Sequence, residues 1–246
     1  MKKLLSFCCA IAIMCVSLPI GSASANGSSN LSLVDSKSYE LNGEQFEVRT
    51  WKDSDGTKIY TVPTEVRNKT EVADFVGNLI KGEQKPEITP FGVGFNWSRE
   101  LEGYDLTAPD KAKILWRASG YSSVGPVGSY NYSEMGVNQS ELKAFYLPTG
   151  YPDKMYLSYS TTYNGISASV TFSDKPSITF SPSTNTITWK SDPMSGDWLI
   201  VTSSDPSHAT SYIGITSTAI QANTEIYMGK NVYKAQVSDK IGYLNN

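Results

Sequence analysis

Past Cys15 the chain has no cysteine, and in its whole length it has one histidine, His208. The first absence removes disulfides, thiolate nucleophiles and zinc–thiolate centres from everything downstream. The second leaves too few ligands for a structural zinc site, and it confines any Ser-His-Asp chemistry to His208 itself. An excess of positive charge is missing too. Lys and Arg number 21 against 24 Asp and Glu, the net charge is −3, and no block of like charges occurs. That argues against a nucleic-acid partner and against strong attraction to anionic lipid. Long apolar runs are absent after Ile20.

The single apolar run, Leu4 to Ile20, follows Lys2 and Lys3 and precedes Ala23-Ser24-Ala25. A positive start, an apolar middle and small residues at −3 and −1 predict a signal peptide over residues 1–25, cut before Asn26. The run falls short of the ~20 residues that span a bilayer. Cys8, Cys9 and Cys15 all lie inside it, so the expected mature chain is exported and free of thiols. Exported chains without cysteine suit a bacterium, and the expected location is secreted, extracellular or cell-wall associated.

Residues 26–38 are small, polar and Ser-rich, which predicts a flexible leader. From Tyr39 the pattern predicts a ββ(β)α segment over 39–85. Asn42-Gly43 and Asp53-Ser-Asp-Gly56 are its turns, Gln45–Trp51 and Lys58–Val62 are strands, and Pro63 ends the last of them. Val72, Phe75, Val76, Leu79 and Ile80 then form one apolar helical stripe, with Asn68 or Thr70 as cap and Gly82 as stop. The Pro-punctuated link from Lys81 to Pro90 predicts a boundary, and 39–90 could be a propeptide-like segment removed there.

Over 91–246, Ser, Thr, Gly, Asn and Tyr dominate and turn signals recur about every ten residues. Short strands are expected at 93–99, 112–118, 142–147, 154–162, 166–173, 177–180, 185–190, 197–202, 211–217, 224–228 and 231–237. The fold class is therefore mainly β, an antiparallel β-sandwich or barrel-like domain behind the small ββ(β)α segment. Asn164-Gly165 predicts a hairpin joining Lys154–Tyr163 to Ile166–Ser173. Its one face would carry Leu157, Tyr159, Thr161, Tyr163, Ile166, Val170 and Phe172. The other would carry Tyr156, Ser158, Ser160 and Thr162 with Ser and Thr of the second strand.

Motifs for catalysis are thin. His208 lies in a Ser/Pro-rich run without a Gly-x-Ser-x-Gly elbow, and Asp53-Ser-Asp-Gly56 lacks the later ligands of a calcium loop. Gly92-Val-Gly and Gly125-Pro-Val-Gly lack the Lys-Ser/Thr of a phosphate loop. Glu100, Glu102, Asp105, Glu134 and Asp197 could serve carboxylate chemistry, but nothing in the sequence pairs them. No catalytic residue, metal or cofactor is assigned. Tyr residues crowd 121–163. The loops Gly120–Tyr132 and Leu147–Pro152 suit adaptable contacts, so Tyr121, Tyr130, Tyr132 and Tyr151 are the candidate binding residues. The leading expectation is a non-enzymatic protein that binds a glycan or a protein at a cell surface. The alternative is a β-pore-forming or membrane-damaging toxin inserting the 154–173 hairpin through Tyr159, Ile166, Val170 and Phe172.

Overall fold

A computed structural model describes residues 31–54, 56–81, 93–127, 130–165, 169–172, 177–180, 184–211 and 215–243. In chain order the elements are β1 (Ser32–Leu41), β2 (Glu44–Lys52), β3 (Lys58–Val62), α1 (Lys69–Lys81), β4 (Val93–Tyr104), β5 (Ala112–Val127), β6 (Tyr130–Val137) and β7 (Glu141–Tyr146). They continue as β8 (Lys154–Gly165), β9 (Ser169–Phe172), β10 (Ser177–Phe180), β11 (Thr184–Lys190), β12 (Leu199–Ser203), β13 (Ser207–Ser211), β14 (Ile215–Met228) and β15 (Asn231–Gly242). The strands form two antiparallel sheets, the mainly β class that the alternation and turn spacing predict; of the sandwich and barrel-like alternatives the described residues show no closed barrel and a sandwich-like arrangement. The larger sheet runs β1-β2-β3-β12-β7-β5-β6-β13-β9, with β4 on the other side of β5; the smaller runs β10-β11-β8-β14-β15. Their inner faces meet where Trp116 of β5 lies 6.2 Å from Tyr159 of β8, and where the Tyr163 hydroxyl donates to the Ser207 carbonyl at 2.8 Å.

The N-terminal elements belong to the larger sheet. β3 pairs with β2 on one side and with β12 on the other, Leu199 facing Val62. The Asn42-Gly43 turn forms as expected, with φ of 54° and 78°, the left-handed values that a tight hairpin needs. β1 corrects the expected leader: residues 32–38 form a strand paired with β2. Its side chains are mostly exposed, so it carries little apolar alternation, and the ladder of backbone hydrogen bonds supplies what the side chains do not.

Helix α1 starts at Asn68, whose Oδ1 accepts from the Glu71 amide at 3.3 Å, and it buries Val72, Ala73, Val76 and Ile80. Gly77 has a packing role. A Cβ there would lie 2.9 Å from Glu141 Oε1 and from Lys143 Nζ. Its absence lets the helix sit directly over a buried ion pair on β7.

Two expectations fail in the middle of the chain. The run Gly120–Tyr132, read as a loop, is strand over 120–127 and 130–132. β5 continues to Val127, and Tyr130 and Tyr132 lie on β6 opposite Val127 and Gly125. Gly120 of β5 and Gly136 of β6 are sites of close approach. A Cβ on Gly120 would meet Trp97 Cζ2 at 2.3 Å, and one on Gly136 would meet Tyr121 Cε1 at 2.2 Å. Aromatic rings thus cover bare backbone, a use of strand glycine that local composition does not distinguish from a loop.

The second failure is the 154–173 hairpin. β8 does not fold back on β9; it is the central strand of the smaller sheet, paired with β11 and β14. β9 pairs with β13 in the other sheet, Val170 opposite Ala209 and Phe172 opposite Ser207. Ile166 lies outside the described residues, as do the side chains of Val170 and Phe172. Tyr159 is in the core, stacked on Trp189 at 5.5 Å. The insertable unit of the membrane reading is therefore not formed, because both edges of β8 are occupied. His208, expected in a loop, lies on β13 opposite Gly136 and Thr171.

Candidate functional face

β8 alternates strictly. Met155, Leu157, Tyr159, Thr161 and Tyr163 are buried, and the residues between them point away from the core. With period two, the register sets the neighbours on that outward face. Ser158 lies between Lys190 of β11 and Asn223 of β14, with Gln236 of β15 beyond. Ser160 lies between Thr188 and Gln221, with Ser238 beyond. Thr162 lies between Thr186 and Ala219, with Lys240 beyond. Three rows of mostly polar side chains, with Lys190 and Lys240 at two of their ends, thus cross four strands, about 4.8 Å apart between strands and about 7 Å apart along them. Ala219 interrupts one row, and Val232 is the only other apolar residue of this face on β14 and β15.

Few of these groups bond to one another. Thr162 and Thr186 share a hydrogen bond at 3.0 Å, Gln221 Nε2 donates to Asn223 Oδ1 at 3.2 Å, and Asn164 Nδ2 donates to Ser217 Oγ at 3.1 Å. Among the described residues, no side-chain partner occupies Ser158, Ser160, Thr188, Gln236 or Ser238. Their donors and acceptors are turned to solvent in a fixed array.

One end of the array is aromatic. Tyr156 and Tyr227 meet edge to face, ring centroids 5.7 Å apart at 70°. Lys154 Nζ lies 4.7 Å from the Tyr227 centroid and 5.8 Å from that of Tyr156, and Lys190 Nζ lies 4.7 Å from Tyr156. Glu225 accepts from the Tyr227 hydroxyl at 3.2 Å and pairs with Lys234 at 3.1 Å. Partial burial opposes its charge, but Lys234 and Lys190 outweigh that and hold its carboxyl below the usual range. Burial and the Glu225 charge push the Tyr227 hydroxyl up. The arrangement offers aromatic rings with ammonium groups set over them, hydroxyls and amides on a sheet held from below by the core.

The Tyr-rich loops fare differently. Tyr121 is 2% exposed, and its hydroxyl donates to Glu134 Oε1 at 2.7 Å, so it presents no ring face to a ligand. Tyr130 and Tyr132 are on a strand rather than a loop, and their side chains lie outside the described residues. Tyr151 is 42% exposed, and its hydroxyl accepts from the Glu65 amide at 3.0 Å. The structure does not bring Tyr151 together with Tyr121, which is sealed under its own sheet. The residues that the loop reading missed are Tyr227, Lys190 and the amides of β14. The β8 half of the face follows from alternation alone, while its partners follow only from long-range pairing.

The other candidate carboxylates are separately engaged. Glu100 pairs with Arg117, Glu102 with Lys113 and Tyr104, and Asp105 takes the amides of Thr107, Ala108 and Lys234. Among the described residues no group of three or more His, Cys, Asp or Glu is placed to hold a metal, and no helix is long and apolar enough to cross a membrane. No protein-family model matches the chain, and no curated protein matches it.

Asp197 is the exception in its environment. It is 1% exposed, with Arg49 Nη1 at 4.0 Å, and burial outweighs the attraction of Arg49 and raises its carboxyl to about 6. Glu47, itself bonded to Arg49 at 3.1 Å, adds repulsion. The folded chain therefore holds this proton more tightly than the unfolded chain, where the value is 3.8. Stability contributed here is intact below that value and declines as pH rises toward about 6. The loss is roughly 2 to 3 kcal/mol. Asp197→Asn should melt higher than the wild type at pH 7.5 and level with it at pH 4. Equal melting shifts at both pH values would refute the assignment.

Proposed function

We propose that this chain is an exported, non-catalytic binding protein whose outward face on the smaller sheet holds an extended glycan. The observation that carries the reading is the pairing of an aromatic end, Tyr156 and Tyr227, with three rows of outward hydroxyls and amides. Sugar rings offer C–H faces that pack on aromatic rings and hydroxyls that exchange hydrogen bonds with Ser, Thr, Asn and Gln. A rigid array limits the ordering cost of binding, because the strands are fixed before the ligand arrives. Export rests on residues 1–25, which lie outside the described residues.

Calorimetric titration with a panel of soluble polysaccharides tests this. At least one should bind, and Tyr156→Ala with Tyr227→Ala should weaken it at least tenfold while leaving the melting temperature within a few degrees. Undiminished binding by the double variant would remove the face from the account. Loss of binding on Tyr151→Ala instead would return the site to the loops.

A further inference from the structure

The charge on this face is one-sided. Lys154, Lys190, Lys234 and Lys240 stand on it among the described strand residues, against the single carboxylate of Glu225. That carboxylate is already taken by Lys234. Lys154, Lys190 and Lys240 have no carboxylate within ion-pair distance among the described residues. The chain as a whole carries −3, so a basic face is not a by-product of composition. Lys154 and Lys190 are also placed with purpose relative to the aromatic end, each with its ammonium 4.7 Å from a tyrosine centroid. Both ammonium groups thus sit against the two rings, within reach of an acidic group on a ligand brought to the aromatic end.

Resting on the glycan reading above, we infer that the face selects anionic glycans, with Lys154 and Lys190 pairing to acidic substituents of sugars stacked on Tyr156 and Tyr227. A neutral sugar would cover these ammonium groups without giving them a counter-charge, so part of its stacking gain would be lost to desolvation. An acidic sugar supplies charge-assisted hydrogen bonds at the same position. Because the groups are at the surface, the selection is screened by salt.

Three polymers separate the possibilities: polygalacturonate, dextran as a neutral glycan, and inorganic polyphosphate as charge without a ring. At low salt, polygalacturonate should bind at least tenfold more tightly than dextran, and the advantage should shrink as sodium chloride is raised to 0.5 M. Lys154→Ala with Lys190→Ala should abolish the advantage, so that polygalacturonate binds no more tightly than dextran. Tyr156→Ala with Tyr227→Ala should weaken both glycans. Equal affinity for the two glycans in the wild type would overturn the anionic selection and leave the glycan reading standing. Binding of polyphosphate as tight as polygalacturonate and indifferent to the tyrosines would overturn the selection in favour of plain charge attraction. Failure of both glycans would overturn this inference and the reading beneath it together.

Discussion

Expressed without its N-terminal elements, as residues 91–246, the chain should fail to fold. Residues 46–80 contribute Phe46, Val48, Ile59, Tyr60, Val62, Val66, Val72, Ala73, Val76 and Ile80 to the buried core. Even at ~1.5 kcal/mol for each large side chain, their burial is comparable to the ~5–15 kcal/mol net stability of a whole domain. Loss of β3 would also leave β12, buried along nearly its whole length, as an exposed apolar edge. Trp198 would lose both its bonds to this segment, from its amide to the Val62 carbonyl and from Nε1 to the Thr64 carbonyl. The check is amide-proton dispersion and cooperative melting of the fragment. A proteolytic cut within 82–90 of the intact protein should leave the two pieces associated through purification. A soluble fragment melting cooperatively near the wild-type temperature would show that the 39–85 unit is dispensable, as a removable propeptide would be.

Lys143→Ala should be the most damaging single substitution, at about 3–5 kcal/mol. Lys143 is 1% exposed and pairs at 2.8 Å with both Glu141 and Asp74. Glu141 is also buried, and its other cations, Arg117 at 3.5 Å and Lys81 at 3.8 Å, stand farther off. Truncating the lysine leaves the buried Glu141 carboxylate with only these two longer pairs beneath α1. Lys143→Met combined with Glu141→Leu removes both charges and should recover much of the loss. Chemical denaturation of the two variants gives the comparison. A double variant as unstable as the single would mean that packing under Gly77, rather than the orphaned charge, sets the cost.

The sequence is informative where a local pattern and its structural consequence coincide. The stripe from Val72 to Ile80 produces α1, and Asn42-Gly43 produces its hairpin because both residues accept left-handed φ. It misleads where pairing is long-range. Asn164-Gly165 carries the same hairpin signal as Asn42-Gly43, yet Asn164 does not take a positive φ. It pairs with Thr184 and Ser217 instead, on strands distant in sequence. The outward hydroxyls of β8 are legible from alternation. That Lys190 and Tyr227 complete the face depends on which strands flank β8, and no local pattern encodes that. Tyr121 reads as a loop residue because its neighbours are Gly and Ser, yet its ring lies over Gly136 on the next strand, whose missing Cβ leaves it room.

The most direct test of the glycan-binding face is chemical-shift mapping of the isotope-labelled protein during titration with a polysaccharide that binds. The perturbed amides should cluster on β8, β11, β14 and β15, centred on Tyr156, Ser158, Asn223 and Tyr227. Perturbations confined to 120–132 or 147–152 would contradict the account and place the ligand on the tyrosine-rich segments.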